Sequence, residues 1–269
     1  MNRFKKFMKK HWIDILVVVA LVALLVVLCY NIYIKFRFAK KIQIFYNYFI
    51  VNGGYKRLLR GMKNTALIAI SGLLIGTLIG TVIAVIKVIP STKKLATYAK
   101  NAATVYVAFF RGTPIVVQLL VGFFILFPLM GLKVSPVVAS IIIFGLNSGA
   151  YISEIMRSGI QSVDPGQLEA ARAVGMPYST SMLKIVVPQA IKNILPTLGN
   201  EFIALVKETA VVGYVGAVDI TSAFQYQGSN SYEYMIPYLV MAVLYIVIVA
   251  LIAWGVKAME RRLGRSERR

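Results

Sequence analysis

Apolar residues along this chain gather into long runs, separated by short segments rich in Lys and Arg. The runs are Ile13 to Ile34, Thr65 to Ile89, Val105 to Met130, Pro136 to Met156, Pro196 to Ile220 and Tyr234 to Val256. A helix needs about 20 mainly apolar residues to cross the hydrocarbon core. The pattern therefore predicts an all-α integral membrane protein of about six transmembrane helices. The first run follows Lys5, Lys6, Lys9 and Lys10. It is longer than a signal-peptide core and no small-residue cleavage site closes it, so it reads as an uncleaved span. Pro90 stops the second run, and Pro114 either kinks the third or begins its helix proper.

The polar segments complete the plan. Residues 1–12 form a basic N-terminus and 13–34 an extra N-terminal span. Residues 35–63 mix Phe36, Phe38, Phe45, Tyr46 and Tyr48 with Lys56, Arg57 and Arg60, and read as an interfacial segment. The remaining core, 64–257, contains a polar cytoplasmic loop over 159–195, and 258–269 form a basic tail. Basic residues favour the cytoplasmic side, so both termini are expected there. One segment disagrees: Lys35, Arg37, Lys40, Lys41, Lys56, Arg57, Arg60 and Lys63 all fall outside on this count.

Composition agrees with the membrane reading: 58% of residues are hydrophobic and 15% charged, against about 25% charged in soluble domains. The net charge of +20 lies between apolar runs, which points to the lipid bilayer and not to nucleic acid. Cys29 is the one cysteine and His11 the one histidine, so neither an intrachain disulfide nor a Cys/His metal site can be built. No HExxH and no other catalytic constellation is present, which argues against an enzyme.

The loop carries the densest signal. Asp164 suits an N-cap, Pro165 the first helical position, and Gln167 the third, as in a capping box. Gly175 is a C-terminal stop and Pro177 blocks continuation. A short helix from about Pro165 to Val174 is expected, then a second amphipathic stretch from Ser179 to Ile194 broken by Pro188.

This loop resembles the EAA motif of ABC importer permeases in Glu169-Ala170-Ala171, Gly175, Ile185 and Val187-Pro188. The family usually has Leu where Val187 stands. Arg111-Gly-Thr-Pro, Gly149-Ala-Tyr-Ile-Ser-Glu, Pro188-Gln-Ala and Leu198-Gly-Asn-Glu-Phe are similar to its polar amino-acid branch. The resemblance implies a type I importer permease, a five-helix core plus the extra first span, in a bacterial inner membrane. It also implies a second permease subunit, homo- or heterodimeric, and two copies of an ABC ATPase that bind ATP and Mg. An extracytoplasmic substrate-binding protein would deliver an amino-acid substrate. Gln167, Glu169, Ala170, Ala171, Gly175, Ile185 and Pro188 would carry the coupling over 164–188. The chain holds no G-x-x-x-x-G-K-[ST] phosphate cradle, so it has no cofactor of its own in this reading. The alternative within transport is an ion- or proton-coupled secondary amino-acid carrier.

Polar residues within the runs are the remaining candidates, since ionisable groups in hydrocarbon are costly. Asn147, Tyr151, Glu154, Ser158 and Gln161 share one helical face. That face, with Arg157 and with Gln118 of the third run, is a candidate substrate pathway. Glu154 would meet an ammonium group, or Glu154 and Arg157 form a structural pair. Glu201 and Glu208 share a face with Lys207 beside them, and serve a gate or dimer interface or contact substrate.

Overall fold

The computed structural model describes residues 16–31, 38–90 and 93–265, the side chains of 264 and 265 excepted. The basic N-terminus 1–12 with His11, residues 13–15 and 32–34 of the first run, Lys35, Arg37 and the tail residues 266–269 lie outside the described residues. The described elements are helical. Helix α1 (Leu16–Asn31) belongs to the first run and is exposed along its length.

Helix α2 (Phe38–Tyr46) runs on through a π turn, Asn47–Val51. Gly53, in the left-handed region at φ 72°, then redirects the chain into α3 (Gly54–Val88). The expected interfacial segment 35–63 is thus two elements, and its last turns belong to α3. Side-chain packing decides this: Gly61 lies against the Asp219 backbone, and Asn64 Nδ2 donates to the Val218 carbonyl at 2.8 Å. The aromatic face of α2 and its π turn packs inward, with Phe49 of the turn stacked on Phe224 and Lys41 of α2 paired to Glu233 at 2.9 Å.

The third apolar run does not form one straight span. It divides into α4 (Lys94–Gly112) and α5 (Ile115–Val121), which continues through a π turn, Gly122–Leu126, into α6 (Phe127–Leu129). The two halves meet at 104°. Pro114 lacks an N–H and excludes the helical conformation from Thr113, which is extended at ψ 145°.

Helices α3 and α7 (Pro136–Gln161) form the most extensive pair in the fold. They run parallel, with Gly72 against Phe144, Gly76 against Ser148 and Gly80 against Ile152. Helix α7 reciprocates with Gly145 against Ile75 and Gly149 against Ile79. A Cβ on Gly76 would stand 2.8 Å from that of Ser148. The glycine row therefore exists to bring two backbones together.

After α8 (Pro165–Ala173), α9 (Tyr178–Ser181) passes through a π turn, Met182–Val186, into α10 (Val187–Glu208). The expected break at Pro188 is absent. The wide turn immediately before it accommodates the missing N–H and the ring, and helical structure continues. At the other end, the expected span to Ile220 stops early. The chain tightens into a 3₁₀ segment, Thr209–Val215, and turns at Gly216, φ 86°. Asp219 is fully buried and builds a capping box with Ser222 that starts α11 (Ile220–Ser231). Helix α12 (Met235–Arg265) absorbs most of the expected tail.

By length and apolarity, α3, α7 and α12 qualify as spans among the described residues, and the bent α4–α6 unit adds a fourth. The other two expected spans correspond to α1, described over a shorter stretch, and α10, which carries Lys192, Glu201, Lys207 and Glu208. The main core joins Ile68, Leu119, Phe144, Leu205 and Val212 from α3, α5, α7, α10 and the 3₁₀ segment.

Candidate functional site

Helix α8 is fixed at both ends by the residues that mark them in the sequence. Asp164 Oδ1 accepts from the Gly166 amide at 2.8 Å. At the far end Gly175 adopts φ 85°, and the amides of Gly175 and Met176 donate to Arg172 and Ala171 carbonyls. One face of α8 is anchored. Ala171 is buried, and Leu168 packs on Val163, Val186, Ala190 and Ile194. Gln189 Nε2 bridges back to Gln167 Oε1 at 3.4 Å and to the Ile185 carbonyl at 3.0 Å. The opposite face is open: Glu169, Ala170, Arg172 and Val174 are exposed, as is Gly175 beyond them, while Ile185 is half-buried. Small side chains and one carboxylate on a rigid, two-sided helix make a surface fit for another protein's groove.

The polar residues of α7 do not form one open face. They divide into two clusters with different surroundings. In the first, Gln118 and Asn147 are buried at the α4–α5 corner. Gln118 Nε2 donates to the Phe110 carbonyl at 2.9 Å and to Thr113 O at 3.0 Å, while Asn147 Nδ2 donates to Phe110 O at 3.3 Å. These carbonyls are left without helical partners where the span breaks. Both amides are consumed in satisfying them, which corrects the expectation that these two side chains face an open pathway.

In the second cluster, Glu154 is the centre. Its Oε1 pairs with Lys87 Nζ at 2.6 Å, and its Oε2 with Arg157 at 2.7 Å. Arg111 approaches the same oxygen at 4.0 Å, and its guanidinium lies 5.4 Å from the Tyr151 ring centre. Arg157 also donates to Gln161 Oε1 at 2.8 Å. The ammonium that Glu154 meets within this chain belongs to Lys87. Three cations around one carboxylate leave a net positive cluster, with Tyr151, Arg157 and Arg111 partly exposed beside it. Sequence reasoning missed Lys87 and Arg111. An apolar run that ends in a lone Lys, and the Arg of Arg111-Gly-Thr-Pro at a helix end, were the available signals.

Glu201 and Glu208 have different surroundings. Glu201 Oε1 accepts from Ser148 at 2.8 Å and so links α10 to α7. Lys207 is exposed and Glu208 half-buried, and no ion pair joins them within the chain among the described residues.

Residues 76–265 match the family described as binding-protein-dependent transport system inner membrane component. The chain is 37% identical to the arginine transport system permease protein ArtQ of Bacillus subtilis (strain 168), over 78% of this chain and 94% of that one. It is 38% identical to the putative glutamine transport system permease protein GlnP of Rickettsia bellii (strain RML369-C), over 77% and 92%. A solved amino acid ABC transporter superposes with a TM-score of 0.71 at 38% identity, over 77% of this chain and 94% of that chain. The MetNI methionine ABC transporter, at 21% identity and a TM-score of 0.66, shares the fold. The broken third span, the capped α8 and the α10 that carries it thus sit in a type I ABC importer permease fold, and the chain belongs to the family of binding-protein-dependent transport system inner membrane components.

Proposed function

We propose that this chain is the permease subunit of an ATP-driven amino-acid importer in a bacterial cytoplasmic membrane. Two such subunits, identical or different, enclose the pathway, and an extracytoplasmic binding protein delivers substrate. Two copies of a separate ATPase bind ATP and Mg on the cytoplasmic side, where α8 and both termini lie. The observation that carries this reading is α8 itself. A helix capped at both ends, anchored through Leu168 and Ala171, holds Glu169, Ala170 and Val174 out from the protein. The amino-acid class is supported by relatives named for arginine and glutamine transport and by the solved amino acid transporter.

Tyr151, Glu154, Arg157 and Gln161 line the inner part of the pathway, with Lys87 and Arg111 holding the carboxylate in place. The cationic surplus there suits a substrate carboxylate, with Gln161 as a neutral neighbour. Gln118 and Asn147 position the α4–α5 corner. Lys207 and Glu208 find their partners in the second permease subunit, at its interface or gate.

Reconstitution with the ATPase and binding protein tests the assignment through uptake of labelled arginine and glutamine. Uptake is expected to require both partners and ATP. Uptake on an ion gradient without the ATPase would sink the reading. Glu169→Lys is expected to leave the chain inserted and to weaken ATPase co-purification.

A further inference from the structure

Helix α3 is 35 residues long, about 52 Å at 1.5 Å per residue. The hydrocarbon core is about 30 Å thick, so α3 must project into the headgroup layer. Its apolar stretch begins at Thr65, which leaves the turns from Gly54 to Asn64 as the projecting end. On those turns Lys56, Arg60 and Lys63 recur at spacings of four and three, on one exposed face. They climb about 10 Å along the axis. Among the described residues no acidic side chain pairs with any of them: of the nearby carboxylates, Glu233 is held by Lys41, and Asp219 is buried in its capping box. Arg57, the neighbouring cation, is already stacked on Tyr226 at 4.1 Å.

Apolar side chains flank this ladder. Tyr55, Leu59 and Met62 are exposed beside it and continue into Leu67, Ile70 and Leu74 along the lipid-facing side of α3. Helix α2 and the π turn Asn47–Val51 that continues it have the same division. Phe45 and Phe49 face the protein, Lys40, Gln43 and Asn47 are exposed polar residues, and Ile42, Tyr46 and Ile50 form an exposed apolar stripe at spacings of four. One side for protein, one for water and one for acyl chain is the arrangement of a helix lying in the bilayer surface.

We infer that the ladder Lys56, Arg60 and Lys63, with the apolar stripe of α2, is a binding site for acidic phospholipid headgroups. The chemistry is that of a phosphodiester anion: three cations in the headgroup layer, beside apolar side chains that accept the acyl chains. A soluble acidic protein would satisfy the cations and leave Leu59, Ile42 and Ile50 in water. The site gives an anionic counterpart to Lys56, Arg60 and Lys63, three of the eight basic residues that the six-span count places outside.

The test uses the full chain purified from membranes and exchanged into vesicles of phosphatidylcholine, with and without phosphatidylglycerol. Lipid retained after detergent extraction is identified by mass spectrometry. Wild type is expected to retain phosphatidylglycerol over phosphatidylcholine. The triple variant Lys56→Gln, Arg60→Gln, Lys63→Gln is expected to lose about a hundredfold of that preference. The charge-preserving variant Lys56→Arg, Arg60→Lys, Lys63→Arg is expected to keep it, and free glycerol phosphate to leave it intact. If the triple variant fails to fold, Arg60→Gln and wild type at raised salt supply the same readout, each expected to lower the preference. Equal retention of both lipids by wild type overturns the site. So does a neutralised variant that keeps its phosphatidylglycerol, including one that loses contact with the binding protein instead.

Discussion

Asn147 Nδ2 donates to Gln118 Oε1 at 3.0 Å, and each amide also donates to the carbonyl of Phe110. One buried contact therefore ties α7 to both sides of the 104° corner between α4 and α5. Irregular backbone at membrane depth survives only where protein or water satisfies it. Here two side-chain amides do so.

Removing either amide should loosen that corner. Gln118→Leu or Asn147→Ala is expected to destabilise the protein by about 1–3 kcal/mol, the cost of leaving buried carbonyls without donors. Thermal unfolding in detergent measures it. The double variant should cost less than the sum, because the two residues share Phe110 O.

Glu154 is expected to behave differently. Glu154→Gln leaves Lys87, Arg157 and Arg111 close together with no counter-charge, at a cost of about 3 kcal/mol. Lys87→Met alone should cost less, because Arg157 still pairs with the carboxylate. The charge exchange Lys87→Glu with Glu154→Lys should recover stability only in part, since Arg157 would then face a like charge one turn away. Unfolding midpoints across the series test the ordering.

The α3–α7 interface is predicted to reject side chains. Gly76→Leu would drive a side chain into Ser148 and Gly80→Val into Ile152. Each is expected to cost about 1–3 kcal/mol through overpacking. Gly112→Ala, whose Cβ would meet open space, should leave the unfolding midpoint within error of wild type.

Loss of the α8 caps should separate coupling from folding. Asp164→Ala removes the Gly166 bond, about 1 kcal/mol. Gly175→Val places a β-branched residue at φ 85°, at roughly 1–2 kcal/mol. Both changes are confined to an exposed segment, so the transmembrane core is expected to unfold as in wild type. ATPase affinity, read by titration of the reconstituted permease, is expected to fall.

Helix α8 was legible because its signals are local. Asp164, Pro165 and Gly175 state where the helix starts and stops, and the structure agrees to within a residue at each end. Pro114 announced a break but not its angle, and the carbonyls freed there are met by Gln118 of α5 itself and by Asn147 arriving from α7. Pro188 misled because a π turn absorbed it, and that remedy has no residue signature of its own. The surroundings of Glu154 were half legible. Arg157 lies one turn away in sequence, whereas Lys87 reaches it only through the register of α3 on α7.

The uninterrupted passage from α9 to Glu208 has a mechanical meaning. The ledge that carries α8 and the stretch that holds Glu201 against Ser148 lie on one continuous helical passage, with Pro196 inside it. About 21 Å separates Val187 from Glu201 along its axis. In the orientation proposed above, a displacement of the α8 end would reach the level of Glu201 along one helix, and Pro196, which leaves a ladder bond unmade between them, marks where that helix has least resistance to bending.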